Sequence, residues 1–184
     1  LDPTPVMGSP TDFARLQKIG TESELPLALI CDSTNAMKDG ESPSETEIGD
    51  NLAKLIADAP HRVAVTTFAS NVGRVVSIVR AAHQAGRQVV LSGRSLHRIM
   101  GIARELGMLE GLPTLHDQDA YRTIARDKCV LICTGSQGEA RAAIARIARG
   151  DHPVIDLNAG DRMIFSSWAI PGNERDVIDI QNLL

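Results

Sequence analysis

Five short polar phrases stand directly after apolar runs in this chain. They are Asp32-Ser-Thr-Asn35, Phe68-Ala-Ser-Asn71 followed by Arg74, Ser92-Gly-Arg-Ser95, Thr134-Gly-Ser-Gln-Gly-Glu139, and Ser166-Ser167 ahead of Pro171-Gly-Asn-Glu174. Each puts hydroxyl, amide or guanidinium groups where a strand ends and a helix begins, the place where helix N-terminal N–H groups can hold an anion. Ser, Asn and Gly at such positions also make ordinary caps and turns, so one phrase alone decides nothing. Five in succession, several with arginine or amide side chains, favour a shared phosphate-lined face. The candidate ligand residues are Ser33, Asn35, Ser70, Asn71, Arg74, Arg94, Ser95, Gly135, Ser136, Gln137, Glu139 and Asn173, with Arg94, Ser95, Ser136 and Gln137 foremost.

Rival chemistries fail on spacing. Gly135-Ser-Gln-Gly138 lacks the third glycine of a dinucleotide loop, and there is no G-x-x-x-x-G-K-[ST]. The nucleophile elbow G-x-S-x-G is absent as well. His61, His83, His97, His116 and His152 are scattered, with neither H-x-H nor H-E-x-x-H. A zinc centre needs several converging ligands, so no metal site and no cofactor is expected within this chain. His152, after Gly150-Asp151, is the one histidine to follow. Cys31, Cys129 and Cys133 sit in apolar runs and read as buried free thiols of a reducing compartment.

The elements that must position these phrases alternate in type. Leu27–Asp32, Arg62–Phe68, Gln88–Ser92, Lys128–Thr134 and Arg162–Ser167 read as strands, most of them near-continuously apolar, as buried parallel strands are. Val154–Leu157 reads as a further short strand. Between them, Ser42-Pro-Ser-Glu45 offers an N-cap, a proline at N1 and a glutamate at N3. Three apolar stripes at helical spacing follow: Val72, Val75, Val76 and Val79, then Leu96, Ile99, Met100, Ala103 and Leu106, then Ala140, Ala143, Ile144 and Ile147. Gly86, Gly107 and Gly150 close them as C′ residues. The alternation predicts an α/β, Rossmann-like three-layer domain with a mainly parallel sheet flanked by helices and right-handed crossovers. Residues 25–184 form one domain, and residues 1–24 a segment leading from a neighbour.

Composition agrees and adds limits. Of 184 residues, 43% are hydrophobic and only five are aromatic, so the core is aliphatic. The formal charge is −4 and no Lys/Arg run occurs, which argues against tight nucleic-acid binding by this chain alone. Arginine nevertheless outnumbers lysine fifteen to four, favouring bidentate phosphate or carboxylate contacts. No signal peptide or membrane-length apolar stretch is present, so a cytoplasmic location is expected and no membrane partner. The chain opens at Leu1 without methionine, as an excised piece would.

Taken together, the phrases resemble ribonuclease J, of the metallo-β-lactamase/β-CASP nucleases. The matching words are Asp32-Ser-Thr-Asn-Ala36, Phe68-Ala-Ser-Asn71 with Arg74, Gly93-Arg-Ser95, Ala103-Arg-Glu-Leu-Gly107, Cys133-Thr-Gly-Ser-Gln-Gly-Glu139, Gly150-Asp-His152 and Ile170-Pro-Gly-Asn-Glu174. The resemblance implies a β-CASP domain that forms part of an RNA channel and active-site cleft. It implies endonuclease and 5′-to-3′ exonuclease action on RNA bearing a 5′-monophosphate. Two zinc ions in the parent enzyme would be held by a metallo-β-lactamase part through H-x-H-x-D-H, a motif absent here. It also implies a homo-oligomeric parent. Asp32 matches a carboxylate that supports a catalytic histidine by fixing its tautomer; on its own residues it reads as a turn or cap. Gly73 departs from the family, where histidine is frequent. The expectation is therefore a β-CASP fragment that is inactive alone. Two rivals remain, a stand-alone nucleotide or phosphosugar-binding module using the Thr134–Glu139 loop, and a protein-interaction domain.

Overall fold

The computed structural model describes residues 2, 4–22, 24, 28, 30, 31, 37 and 39–184. In chain order the elements are α1 (Phe13–Glu22), α2 (Glu45–Ala57), β1 (Val63–Thr66), α3 (Val72–Gln84), β2 (Gln88–Ser92), α4 (Arg94–Glu105), β3 (Leu115–His116), β4 (Cys129–Cys133), α5 (Ala143–Ala148), β5 (Arg162–Phe165) and α6 (Glu174–Leu183). Two short 3-10 turns, Gln118–Arg122 and Arg126–Lys128, lie between β3 and β4.

Among the described residues the five strands form one sheet in the order β3-β2-β4-β1-β5, and every pairing is parallel. Because successive side chains point to opposite faces, each central strand feeds two cores. Val63, Val65, Val89, Leu91, Val130 and Ile132 pack under α2, α3 and α4. Ala64, Val90, Cys129, Leu131 and Cys133 pack on the other side, against α5, α6 and Tyr121. The fold is thus the three-layer, parallel α/β domain that the apolar runs imply.

Local chemistry sets the helix ends. Gly86, Gly107 and Gly150 follow α3, α4 and α5 at φ of 65°, 71° and 72°, the left-handed conformation that a C′ residue requires. The start of α2 differs from expectation by two residues. Ser44, not Ser42, is the N-cap: its hydroxyl accepts the Glu47 N–H at 3.1 Å while Glu47 Oε2 accepts the Ser44 N–H at 2.8 Å. The Ser-x-x-Glu box outweighs the Ser-Pro-x-Glu pattern because it satisfies two orphan donors reciprocally.

Other expectations are corrected. Val154–Leu157 is not a strand; its backbone is held by His152 and Arg122 side chains instead of a ladder. Ala140 lies before α5, in the turn that precedes it. The two-residue β3 and helices α1 and α6 lie outside the elements expected from the sequence. Leu27–Asp32 falls largely outside the described residues; Ala28, Ile30 and Cys31 are described, exposed and not in a strand. Cys31 is accordingly on the surface, whereas Cys129 and Cys133 are buried. The N-terminal segment touches the domain lightly, through Asp2 accepting the Glu45 N–H at 2.8 Å and Thr46 donating to the Thr4 carbonyl at 2.7 Å. No helix among the described residues is long and apolar enough to cross a membrane.

Candidate functional site

Strand order places the site. The connection leaving β2 runs outward to β3, whereas that leaving β4 turns the other way, across β1 to β5. Open parallel sheets gather ligands where connections diverge in this way, beyond the strands' carboxyl ends. A crevice of about 1000 Å³ lies there, lined by Ser92, Arg94, Ser95, Arg98, Asp119, Thr134, Glu139, Arg141, Arg146 and His152 among others.

Gly93, the residue before α4, takes φ 125°, and a Cβ there would sit 2.5 Å from Thr134 Oγ1, so the two strand-end turns are pressed together. No side chain caps α4. Arg94 and Ser95 project into the crevice from its first turn, with Arg98 one turn on. Arg94, Arg98 and Arg141 have no hydrogen-bond or ion-pair partner among the described residues, while Arg146 is drawn to Asp151 at 3.5 Å. Glu139 lines the crevice and accepts the Gln137 N–H at 3.1 Å.

His152 closes the crevice floor. Its Nδ1 accepts backbone N–H groups of Ile155 at 3.1 Å and Val154 at 3.4 Å, and its Nε2 lies 3.2 Å from Ser92 Oγ. An acceptor Nδ1 requires the proton on Nε2, which therefore donates to Ser92. Burial and then the Arg146 charge push the imidazole below its ordinary value of 6.5, with Asp151 opposing, so the neutral ring is favoured.

The remaining residues singled out from the sequence are placed as follows. Asn71 caps α3, its Oδ1 accepting the Arg74 N–H at 3.0 Å, and Ser70 is exposed beside it. Arg74, only 7% exposed, is turned inward. Its Nε and Nη2 meet Glu45 at 2.5 and 3.0 Å, and its Nη1 donates to the Ser166 carbonyl. Gly135 (φ 112°) has no room for a side chain beneath Ile144. Ser136 is 2% exposed and its hydroxyl has no partner among the described residues. Gln137 is buried too: Nε2 donates to the Trp168 carbonyl at 2.9 Å, and Oε1 accepts the Ile170 N–H at 2.7 Å and Asn173 Nδ2 at 3.4 Å. It is a strut joining the loop after β4 to the loop after β5. Asp32, Ser33 and Asn35 lie outside the described residues. The structure thus brings Arg94, Ser95 and Glu139 into one crevice and adds Arg98, Arg141 and Arg146. These three were hidden in the sequence among the polar faces of α4 and of the segment leading through α5.

Among the described residues no three His, Cys, Asp or Glu side chains converge as metal ligands, so these residues do not fit a two-zinc centre.

A three-layer domain with an all-parallel sheet and an arginine-rimmed crevice at its switch point defines the class as parallel α/β. The chain belongs to the family described as "Ribonuclease J, beta-CASP domain", whose model matches residues 60–184. Ribonuclease J of Sinorhizobium meliloti is 50% identical over 182 residues, which cover 99% of this chain and 32% of that protein. Ribonuclease J of Mycobacterium tuberculosis is 46% identical over 184 residues, all of this chain and 33% of the relative. The Thermus thermophilus protein of the same name is 39% identical over 184 residues, again all of this chain and 32% of the relative. The chain therefore spans about a third of the length of these relatives.

Proposed function

We propose that this chain is the β-CASP portion of a metal-dependent ribonuclease, and that its strand-end face guides single-stranded, 5′-monophosphorylated RNA toward a hydrolytic centre. That centre would be supplied by a metallo-β-lactamase portion of the same protein, with two zinc ions held by residues outside those described here. This chain alone would not hydrolyse RNA. Within it, Arg94, Ser95, Arg98 and Arg141 contact the sugar–phosphate backbone, while Gln137 braces the loop after β4 that leads to Arg141, and Asn71 and Arg74 serve the packing of the domain. Asp32 is assigned to support of a catalytic histidine contributed by the rest of the protein. The protein would work in the cytoplasm, as a homo-oligomer.

The observation that carries this reading is the set of three guanidiniums, Arg94, Arg98 and Arg141, which have no hydrogen-bond or ion-pair partner among the described residues, around one crevice at the sheet's switch point. Guanidiniums held apart from carboxylates are suited to phosphate oxygens. The test is RNA affinity as a function of salt for the full-length protein and for Arg94→Ala, Arg98→Ala and Arg141→Ala. Each lost phosphate contact should lower the log–log salt slope by about 0.7. Unchanged affinity and slope in all three variants would defeat the assignment. Binding of mononucleotides with no preference for RNA would favour a nucleotide-binding module instead.

A further inference from the structure

The crevice beyond β2 carries charges of both signs. Besides its arginines it is lined by Asp117, directly after β3, and by Asp119, two residues further on. β3 pairs with β2 in parallel, Val90 beside His116, so Asp117 emerges next to the turn that begins α4. One contact fixes that neighbourhood: Asp117 Oδ1 lies 3.4 Å from Nδ1 of His97, one turn beyond Arg94 and next in sequence to Arg98. Neither of these arginines comes within ion-pairing distance of Asp117 or Asp119. Elsewhere in the chain Asp161 draws Arg62 and Arg126 onto itself, at 3.5 and 2.8 Å. In the crevice the opposite charges stay apart, and the space between them is open to a ligand.

The floor adds an unmatched donor. Ser92 is 0% exposed and lines the crevice. His152 Nε2 donates to Ser92 Oγ at 3.2 Å, so the serine's own hydrogen needs a different acceptor, and none is present among the described residues. A buried hydroxyl with a hydrogen to give costs free energy until an oxygen takes it. Three kinds of group therefore meet here. The floor donates, the guanidiniums and the uncapped N–H groups of α4 suit a phosphate, and the carboxylates only accept. A phosphate alone would leave the carboxylates repelling it. A ribonucleotide unit matches all three, because its phosphate oxygens stand close to a 2′-hydroxyl that can donate.

We propose that Asp117 accepts the 2′-hydroxyl of one ribonucleotide whose phosphate is held by Arg94 and Arg98, so that this crevice selects ribose over deoxyribose. This rests on the RNA-guiding reading above and adds the residue that tells the sugar. Parallel α/β domains that bind dinucleotides divide the work in the same way, with phosphate at a helix N-terminus and an acidic residue on the ribose hydroxyl. Inside a strand the 3′-oxygen is esterified, which leaves the 2′-hydroxyl as the sugar's donor and as the mark of RNA against DNA. Asp117 is preferred to Asp119 because His97 orients it, whereas Asp119 has no partner among the described residues.

The test measures equilibrium binding of the full-length protein to three single strands of one base sequence, with ribose, 2′-deoxyribose or 2′-fluororibose sugars. All carry phosphorothioate linkages so that none is cut. The 2′-fluoro strand keeps the pucker of ribose but cannot donate, which separates the hydrogen bond from sugar shape. Wild type should bind the ribose strand about 3- to 10-fold more tightly than either of the others. Asp117→Ala should bring the three affinities together, and Asp117→Asn should keep part of the preference because its amide oxygen still accepts. Asp119→Ala should leave the preference intact. Losing either carboxylate also lessens repulsion of the backbone, which raises affinity for all three strands alike, so the ratio between strands is the readout. An unchanged ratio in Asp117→Ala overturns the proposal, as does an equal loss on the ribose and deoxyribose strands, which would mark a contact to a base. Collapse of the ratio in Asp119→Ala alone overturns it too. Wild-type protein that binds no strand would overturn the RNA-guiding reading itself, whereas equal binding of all three would overturn this inference alone.

Discussion

Replacing Arg74 with alanine should unfold the domain more readily without weakening its grip on RNA. Arg74 meets both oxygens of Glu45 at 2.5 and 3.0 Å, and the two side chains are 9% and 17% exposed. It also reaches the Ser166 carbonyl and, at 3.3 Å, the Ser166 hydroxyl, so it ties α2, α3 and the end of β5 together. Removing one partner of a buried pair leaves the other charge uncompensated and costs about 3–5 kcal/mol. At about 2–4 °C per kcal/mol for a domain of this size, the melting temperature should fall by about 6–20 °C. The assay is thermal unfolding by circular dichroism, paired with RNA binding measured well below the transition. Removing both charges with Arg74→Met and Glu45→Leu should recover much of the loss, because no ion is then left stranded. Wild-type melting in Arg74→Ala, together with a weaker, less salt-dependent RNA affinity, would refute this reasoning and make Arg74 a phosphate ligand.

Two further predictions follow from titratable groups. Because His152 is held below its ordinary 6.5, the unfolded chain takes up its proton first; stability from the neutral ring is fully present above 6.5 and is lost as pH falls from there through the lower folded value. Urea unfolding across this range should show that loss in wild type and not in His152→Gln, and equal pH slopes would contradict it. Burial pushes the Cys133 thiol up to about 12 and raises Cys129 as well, whereas Cys31 is exposed. An aromatic disulfide reagent should therefore label Cys31 alone in the native chain and all three cysteines after denaturation. Native labelling of Cys133 at the rate of Cys31 would contradict this.

The layers of the fold were legible because parallel strands buried on both faces must be apolar along their whole length. Val63–Thr66, Gln88–Ser92 and Cys129–Cys133 are nearly so. The left-handed glycines after α3, α4 and α5 were legible for a similar reason, since few other residues tolerate that conformation. What sequence concealed were partners distant along the chain. Arg74 looks like a solvent-facing residue until Glu45, 29 positions earlier, is packed against it. Gln137 sits in a phrase rich in phosphate-type residues, yet its amide is spent on Trp168, Ile170 and Asn173. β3 is only two residues long, too short to show any period. The crevice was half visible: strand-end turns announce themselves through Ser, Gly and Asn, but which helix-borne arginines lean over them depends on strand order.

That strand order also constrains how the chain comes together as it is synthesised. β1 and β2 are made first, yet they do not touch in the finished sheet; β4 lies between them. With strands about 4.8 Å apart, the two must wait with a slot about 9.6 Å wide between them until Cys129–Cys133 arrives. Thirty-six residues separate Ser92 from Cys129, which at 5–20 residues per second is a delay of about 2–7 s. Throughout that interval the two hydrogen-bonding edges that flank the slot, one on β1 and one on β2, lack the strand they will pair with. The apolar β4 segment is thus the keystone of assembly, and mutations that slow its insertion should lower the yield of native chain without altering its final stability.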